Sequence, residues 1–329
     1  MNLQQKIDVF SIMRADLARV DERVSAAAEL DYPIASTIIG EIVRAGGKRL
    51  RPLILLLAGR AYDQNLDTLV TAAAGVELLH TASLIHDDTV DRAALRRGKP
   101  TLNSVMSSGG VILVGDYLFA QSAMLAAATN SPRIVSVFAS TLGDICDGQL
   151  REMFDAHRID QTREQYERRI YGKTASLFAG SAEMGAIIGQ APEDHISSLR
   201  QYGSHFGMAF QIVDDVLDLT EGTQDLGKPA GHDLLQGTVT LPTMIYAGRL
   251  DASSPDLRRL EEVVEGENLN PDLIDEVVAS IRRSGAIEES VAIARVYVER
   301  AKMAARVVPD LETSEMLSDI AEFALRRLK

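Results

Sequence analysis

Apolar residues recur along this chain at three- and four-residue intervals rather than in alternation, the spacing of helix faces buried against other helices. The pattern predicts helices over roughly 2–27, 33–45, 50–62, 66–91, 111–129, 132–156, 162–171, 174–190, 193–220, 240–250, 254–266, 271–283, 285–307 and 311–328. Turn residues interrupt it at Gly46-Gly47, Gly98-Lys99-Pro100, Ser108-Gly109-Gly110, Ser131-Pro132, Ala191-Pro192, Gly227-Lys228-Pro229 and Asn270-Pro271. No convincing set of alternating strands and no Asn-Gly hairpin signal is legible. Two stretches are apolar nearly all round: Thr71 to Ile85 carries only Glu77 as an acid, and Thr174 to Gly189 only Glu183. Helices of that kind are enclosed by other helices. The expected fold is all-α, one large helical bundle over residues 1–329, with more polar peripheral helices after about 250.

The polar positions that break this pattern carry the chemistry. Asp87-Asp88-Thr89-Val90-Asp91 ends one apolar run and Asp214-Asp215-Val216-Leu217-Asp218 ends another, both reading D-D-x-x-D. The 26 aspartates of the chain do not account for two such copies. Asp87 and Asp91 are four apart and share a helix face, as do Asp214 and Asp218. Each triad sits near a helix C-terminus, where the macrodipole disfavours anions. Two carboxylates about 4 Å apart repel by about 4 kcal/mol at an effective dielectric near 20, so these ends need cations. Oxygen ligands without His or Cys favour Mg²⁺, which bridges carboxylates to substrate phosphates.

Basic residues cluster beside these acids. Gly46-Gly47-Lys48-Arg49-Leu50-Arg51-Pro52 puts three cations at a helix junction; Arg92, Arg96, Arg97 and Lys99 follow the first triad; Lys173-Thr174 opens a predicted helix; Lys228 follows the second triad. Arg offers a planar fork and Lys a point charge to phosphate oxygens. Acids, Mg²⁺ and a ring of cations together describe a diphosphate site. His80 lies seven residues, two turns, before Asp87 and so on its face, and His86 directly precedes the triad as a supporting neighbour.

Composition narrows the class. The 329 residues hold 34 Lys+Arg against 47 Asp+Glu, a formal charge of −13 that argues against nucleic acid as a partner. A hydrophobic fraction of 46 % excludes bulk disorder. The single cysteine, Cys146, allows no intramolecular disulfide and lies in an apolar-periodic stretch, where it reads as a small core residue. The N-terminus MNLQQKIDVF lacks a signal-peptide apolar region. No uncharged apolar run approaches the roughly 18–20 residues of a membrane span. A cytoplasmic protein without a transmembrane segment is expected, with at most transient membrane contact.

The motifs GGKRLRP, HTASLIHDDTVD, RRGKPT, GDYLF, YGKTASLF, FQIVDDVLD, LGKPAGHDLLQG and TLP, in this order and spacing, resemble the trans-isoprenyl diphosphate synthases of the polyprenyl synthetase family. Among these the chain is most similar to the long-chain heptaprenyl-, octaprenyl- and solanesyl-type enzymes. The resemblance implies a bundle with a central cavity and head-to-tail condensation of isopentenyl diphosphate with an allylic diphosphate. It implies that Asp87 and Asp91 bind Mg²⁺ with Asp88 in support, and that Asp214, assisted by Asp215 and Asp218, holds a third ion. It further implies that Arg96, Lys173, Thr174, Gln211 and Lys228 bind the allylic diphosphate, and that Lys48, Arg51, His80 and Arg97 bind isopentenyl diphosphate. A homodimer is implied as well. Thr238 stands where many relatives carry a lysine, so one cation is missing. Small residues at Ala82 and Ser83, where short-chain relatives carry an aromatic block, imply a product longer than C15, with Phe138, Met124 and Leu142 as candidates for the tunnel floor.

Three other readings fit less of the sequence. A class I terpene cyclase uses one Asp-rich motif but needs no second diphosphate site of the GGKRLRP kind. A di-iron bundle needs two Glu-x-x-His elements, and only Glu77-Leu78-Leu79-His80 is present. A non-catalytic subunit of a two-component synthase is marked by loss of acidic residues, and both triads are intact.

Overall fold

The computed structural model describes residues 8–29, 31–44, 47–62, 65–91, 93–96, 99–220 and 231–328. Its helices are α1 (Val9–Ile12), α2 (Arg14–Ala27), α3 (Pro33–Arg44), α4 (Leu50–Arg60), α5 (Leu66–Val90), α6 (Ser108–Ala128), α7 (Pro132–Asp155) and α8 (Arg163–Ile170). They continue as α9 (Ser176–Ile188), α10 (Glu193–Thr220), α11 (His232–Leu235), α12 (Leu241–Ala247), α13 (Pro255–Val264), α14 (Pro271–Arg283), α15 (Ala286–Ala305) and α16 (Leu311–Arg326). The fold is all-α, as the periodicity predicts. The chain divides into two compact units, one of residues 1–143, 177–204 and 301–320, the other of residues 144–176, 205–300 and 321–329.

In the first unit α5 is the central element. Asn65 caps it, its side chain accepting from the Thr68 amide at 3.2 Å. Every residue from Leu69 to Leu79 is buried, including Thr71 and Glu77, because α2, α4 and α6 pack around it. Leu53 to Leu57 of α4 are no more than 1 % exposed; burial of each side chain is worth about 1.5–3 kcal/mol. In the second unit, one apolar cluster gathers Leu219, Leu234, Tyr246, Val263 and Val278, and another gathers Tyr166, Ile170, Ile212, Val213 and Leu241. The second cluster anchors the part of α10 that carries the second triad.

The departures from the predicted elements have local causes. Helices 162–171 and 174–190 are joined by a π-helical turn, Tyr171–Ala175. Gly148 of α7 and Gly172 of the turn let the two backbones touch: a Cβ on Gly148 would lie 2.3 Å from the Lys173 nitrogen, and one on Gly172 would lie 2.6 Å from the Asp144 carbonyl oxygen. Helix α6 begins at Ser108 rather than 111, because Ser107 caps it through the Gly110 amide and the two glycines fit the first turn. The first predicted helix is broken at Met13 between α1 and α2. A two-residue antiparallel ladder, β1 (Leu95–Arg96) with β2 (Lys99–Pro100), and the short α11 carry no sequence signal long enough to read.

Two expectations about burial fail. Cys146 is exposed, not in the core; Thr141, Ile145 and Gly148 take the inner face of α7 at helical spacing, and Cys146 falls off it. Met124 is 63 % exposed on α6, whereas Phe138 is 5 % exposed and Leu142 half-buried. By length and composition α5 and α6 could each cross a membrane; the apolar window of α5 is 83 % buried within the protein and that of α6 33 %. Asp116 is the one charge in α6.

Candidate active site

In the first unit the acidic triad closes α5, with Asp91 as its C-cap. The three aspartates differ in surroundings. Asp88 is 9 % exposed. Both its carboxylate oxygens accept from Arg96 Nε, at 2.8 and 2.9 Å, and its carbonyl accepts from Asn103 Nδ2 at 2.7 Å. Asp87 is half-buried and Asp91 exposed, four residues apart on one face. The pair Asp87 and Asp91 thus presents two hard oxygen donors, while Asp88 ties the helix end to β1. Arg96, expected on an allylic diphosphate, is the residue that makes this tie, through Nε alone.

His86 anchors the same end from below. Its Nε2 donates to the Ile112 carbonyl at 3.2 Å and lies 3.6 Å from Asp116 Oδ1. Its ring meets Phe119 edge-on at 5.1 Å. Gly115 makes the room, since a Cβ there would fall 2.2 Å from His86 Nε2. Two turns earlier, His80 Nε2 accepts from Arg51 at 3.1 Å, and the Arg51 guanidinium stands 4.2 Å over the Phe178 ring. Lys48 is exposed. Arg49 instead turns inward to Glu77 at 2.6 Å. Ala82 is fully buried, and the Ser83 hydroxyl donates to the His80 carbonyl at 2.8 Å. Arg97 and Lys228 lie outside the described residues.

In the second unit α10 presents Gln211, Asp214, Asp215 and Asp218. A buried relay runs through it: the Thr174 hydroxyl donates to Gln211 Oε1 at 2.6 Å, Gln211 Nε2 donates to Asp215 Oδ1 at 2.9 Å, and the Tyr166 hydroxyl donates to Asp215 Oδ2 at 2.6 Å. Burial raises the Asp215 carboxyl to about 7, and the bonds from Tyr166 and Gln211 oppose the rise. The same burial and the neighbouring Asp215 push the Tyr166 phenol well up. Arg169, 2 % exposed, braces this layer through Gln161 Oε1 and the Val239 carbonyl. Asp215 is therefore a buried anchor of the helix end.

Lys173, on the π-helical turn, pairs with Glu152 of α7. Asp218 Oδ2 accepts from the Asp233 amide at 3.2 Å, and its carbonyl accepts from Gly231 at 2.9 Å. The Asp233 carboxyl is held well above the usual carboxylate range, first by burial and then by Asp218, Asp215 and Glu152, with Lys173 opposing. Four carboxyl groups therefore share the surroundings of one lysine, a concentration of negative charge that favours added cations. Asp214 pairs with Arg327 near the C-terminus, and that guanidinium stands 4.3 Å over the Phe210 ring. The sequence reading missed Glu152, Asp233, Tyr166 and Arg327. Asp233 lies inside the GHDLLQG motif and was within reach; the other three belong to no motif.

The donor chemistry fits a hard divalent cation. Both triads offer carboxylate oxygens alone, and among the described residues no three His, Cys, Asp or Glu form a ready cage. One or two carboxylates per ion are what Mg²⁺ takes when water and phosphate complete its shell.

The polyprenyl synthetase family profile matches residues 32–281. Component 2 of heptaprenyl diphosphate synthase from Geobacillus stearothermophilus is 37 % identical, covering 97 % of this chain and 98 % of that protein. The all-trans-nonaprenyl-diphosphate synthase of Rhodobacter capsulatus is 33 % identical over the whole of both chains. A crystal structure of a polyprenyl synthase from Caulobacter crescentus, complexed with calcium and isoprenyl diphosphate, superposes with a TM-score of 0.91 at 32 % identity, covering 96 % of each chain. With its Asp-rich helix ends, its two cation groups and these likenesses along nearly its full length, the chain belongs to the polyprenyl synthetase family.

Proposed function

We infer that this chain is a trans-polyprenyl diphosphate synthase, a prenyltransferase that joins isopentenyl diphosphate head to tail to an allylic diphosphate and releases a product longer than C15. One observation carries the reading: the chain holds two separate sets of phosphate-binding donors, the cations Lys48 and Arg51 at α4 and the cation Lys173 with the Thr174 hydroxyl in the π-helical turn, as a reaction of two diphosphates requires. Relatives named heptaprenyl, octaprenyl and nonaprenyl diphosphate synthases support the product class.

In this reading Lys173, Thr174, Gln211 and Arg96, with Lys228, hold the allylic diphosphate, and Lys48, Arg51, His80 and Arg97 hold isopentenyl diphosphate. Asp87 and Asp91, and Asp214 assisted by Asp215 and Asp218, would hold Mg²⁺, three ions in all, which when bound supplies positive charge to the departing diphosphate. The allylic C–O bond breaks with its electron pair on diphosphate, the isopentenyl double bond attacks the resulting carbocation, and a proton leaves to the released diphosphate. The protein's own residues stabilise charge and hold the reactants in place; no side-chain nucleophile is needed. The shortage of one cation at Thr238 bears on affinity rather than on reaction type.

The exposed apolar residues Ile112, Leu113 and Met124 of α6 support docking of a second copy of this chain. Two relatives are each named component 2 of a heptaprenyl diphosphate synthase, so a different partner chain is the competing outcome. Light scattering on the purified chain separates the two. A lone cysteine agrees with a cytoplasmic enzyme. The deciding experiment is incubation with isopentenyl diphosphate, Mg²⁺ and C5 to C20 allylic starters, followed by sizing of the products. Consumption of an allylic diphosphate without any need for isopentenyl diphosphate would instead mark a cyclase.

A further inference from the structure

The GGKRLRP motif supplies three cations, and the proposed function uses only Lys48 and Arg51. Arg49, between them, takes a left-handed backbone, φ 50 and ψ 37, which a side-chain-bearing residue adopts only when its surroundings impose it. The surroundings are visible. All three guanidinium nitrogens are engaged: Nε donates to Asp21 Oδ1 at 2.8 Å, one terminal nitrogen to Glu77 Oε1 at 2.6 Å, and the other to the Val43 carbonyl at 3.0 Å. The Arg49 side chain is 11 % exposed and that of Glu77 6 %. The Arg49 carbonyl accepts the Leu53 amide at 2.9 Å and so opens α4, whose first turn carries Arg51.

Glu77 and His80 stand three residues apart on α5 and hence on one face. Arg49 binds the first and Arg51 the second, so two rungs pin the motif to α5. The Glu-x-x-His element that a di-iron site would have used is committed to these two arginines.

We propose that Arg49, locked by Glu77, is a positioning residue for isopentenyl diphosphate: it fixes the left-handed turn that aims Lys48 and starts the helix turn carrying Arg51. The proposal rests on the reading of Lys48 and Arg51 given above. Removing Arg49 leaves the turn without its anchor and Glu77 with an uncompensated buried charge; removing the Glu77 charge leaves the turn without its innermost tether.

The test is steady-state kinetics on the full chain with isopentenyl diphosphate and geranyl diphosphate varied in turn, alongside thermal melting. Arg49→Gln and Glu77→Gln should each raise KM for isopentenyl diphosphate about tenfold or more while KM for geranyl diphosphate stays within about twofold. The double variant should be no worse than either single one, because both break the same pair. Arg49→Lys should fall between. Asp21→Asn, which removes only the partly exposed tether, should give a rise of about two- to threefold and keeps the test alive if the buried variants fail to fold. A lowered melting temperature with unchanged KM for isopentenyl diphosphate, or an equal rise in both KM values, overturns the proposal. Wild-type chain that never consumes isopentenyl diphosphate overturns the parent reading itself, a result recognisable before any variant is made.

Discussion

Replacing Tyr166 by Phe removes one oxygen and leaves the ring, which is fully buried beside Arg169. What is lost is the 2.6 Å bond to Asp215 Oδ2, one of the two donors that carboxyl has within its buried relay. Its worth depends on the charge of Asp215. A hydrogen bond to a neutral acceptor contributes about 1 kcal/mol and one to a charged acceptor about 1.5–3 kcal/mol. The Asp215 carboxyl is raised from 3.8 to about 7 in the folded protein. The fold therefore favours the protonated form. That contribution to stability is complete below the unfolded value and is lost as pH climbs to about 7. Tyr166 favours the ionised form, so its removal pushes the folded value higher and the loss continues above 7. Metal-free Tyr166→Phe should thus cost about 1 kcal/mol near pH 5.5 and about 2–3 kcal/mol near pH 8.5. Tyr202 is the internal reference: it is equally buried, and its hydroxyl donates at 2.8 Å to the neutral Leu317 carbonyl. Tyr202→Phe should cost about 1 kcal/mol at both pH values. Urea denaturation in chelator, followed by far-UV circular dichroism, measures all four numbers. An equal cost for Tyr166→Phe at the two pH values would refute the reasoning, because it would mean that the charge of Asp215 does not change across that range.

Two further outcomes follow from packing. Gly115→Ala should destabilise the protein by about 1–3 kcal/mol, since the new Cβ would lie 2.2 Å from His86 Nε2 and must drive that ring off the Ile112 carbonyl; thermal melting checks it, and a melting temperature equal to wild type contradicts the close contact. Ala82→Tyr combined with Ser83→Phe should shorten the product, because bulk one turn before His86 and Asp87 would fill the path expected for the growing chain; chromatography of extracted products decides, and an unchanged length rejects these positions as determinants.

The helical architecture was legible because long apolar-periodic runs such as Leu66–Val90 leave no other way to bury their faces. The acidic helix ends were legible because two matching triads exceed what composition supplies. What the sequence hid was how individual members of those motifs are used. Asp87, Asp88 and Asp91 read alike in one dimension, yet Asp88 is turned to Arg96 and Asn103 by the short β1–β2 ladder, which spans too few residues to show a period. Lys48, Arg49 and Arg51 also read as one basic cluster, whereas in the fold Arg49, at positive φ, is turned inward to Glu77. Glu152 meets Lys173 through the contact of Gly148 with Gly172, between residues far apart in the chain. Cys146 was misplaced because an apolar neighbourhood sets the likelihood of burial, whereas the helix register sets the face.

The account rests on each aspartate triad acting on diphosphate through divalent metal. Calorimetric titration of inorganic pyrophosphate into the Mg²⁺-saturated chain tests this most directly, with Asp91→Asn and Asp214→Asn beside the wild type. The account predicts that either substitution weakens Mg²⁺-dependent pyrophosphate binding about 100-fold or more. Wild-type affinity in either variant would mean that its triad takes no part in holding the diphosphate and would contradict the account.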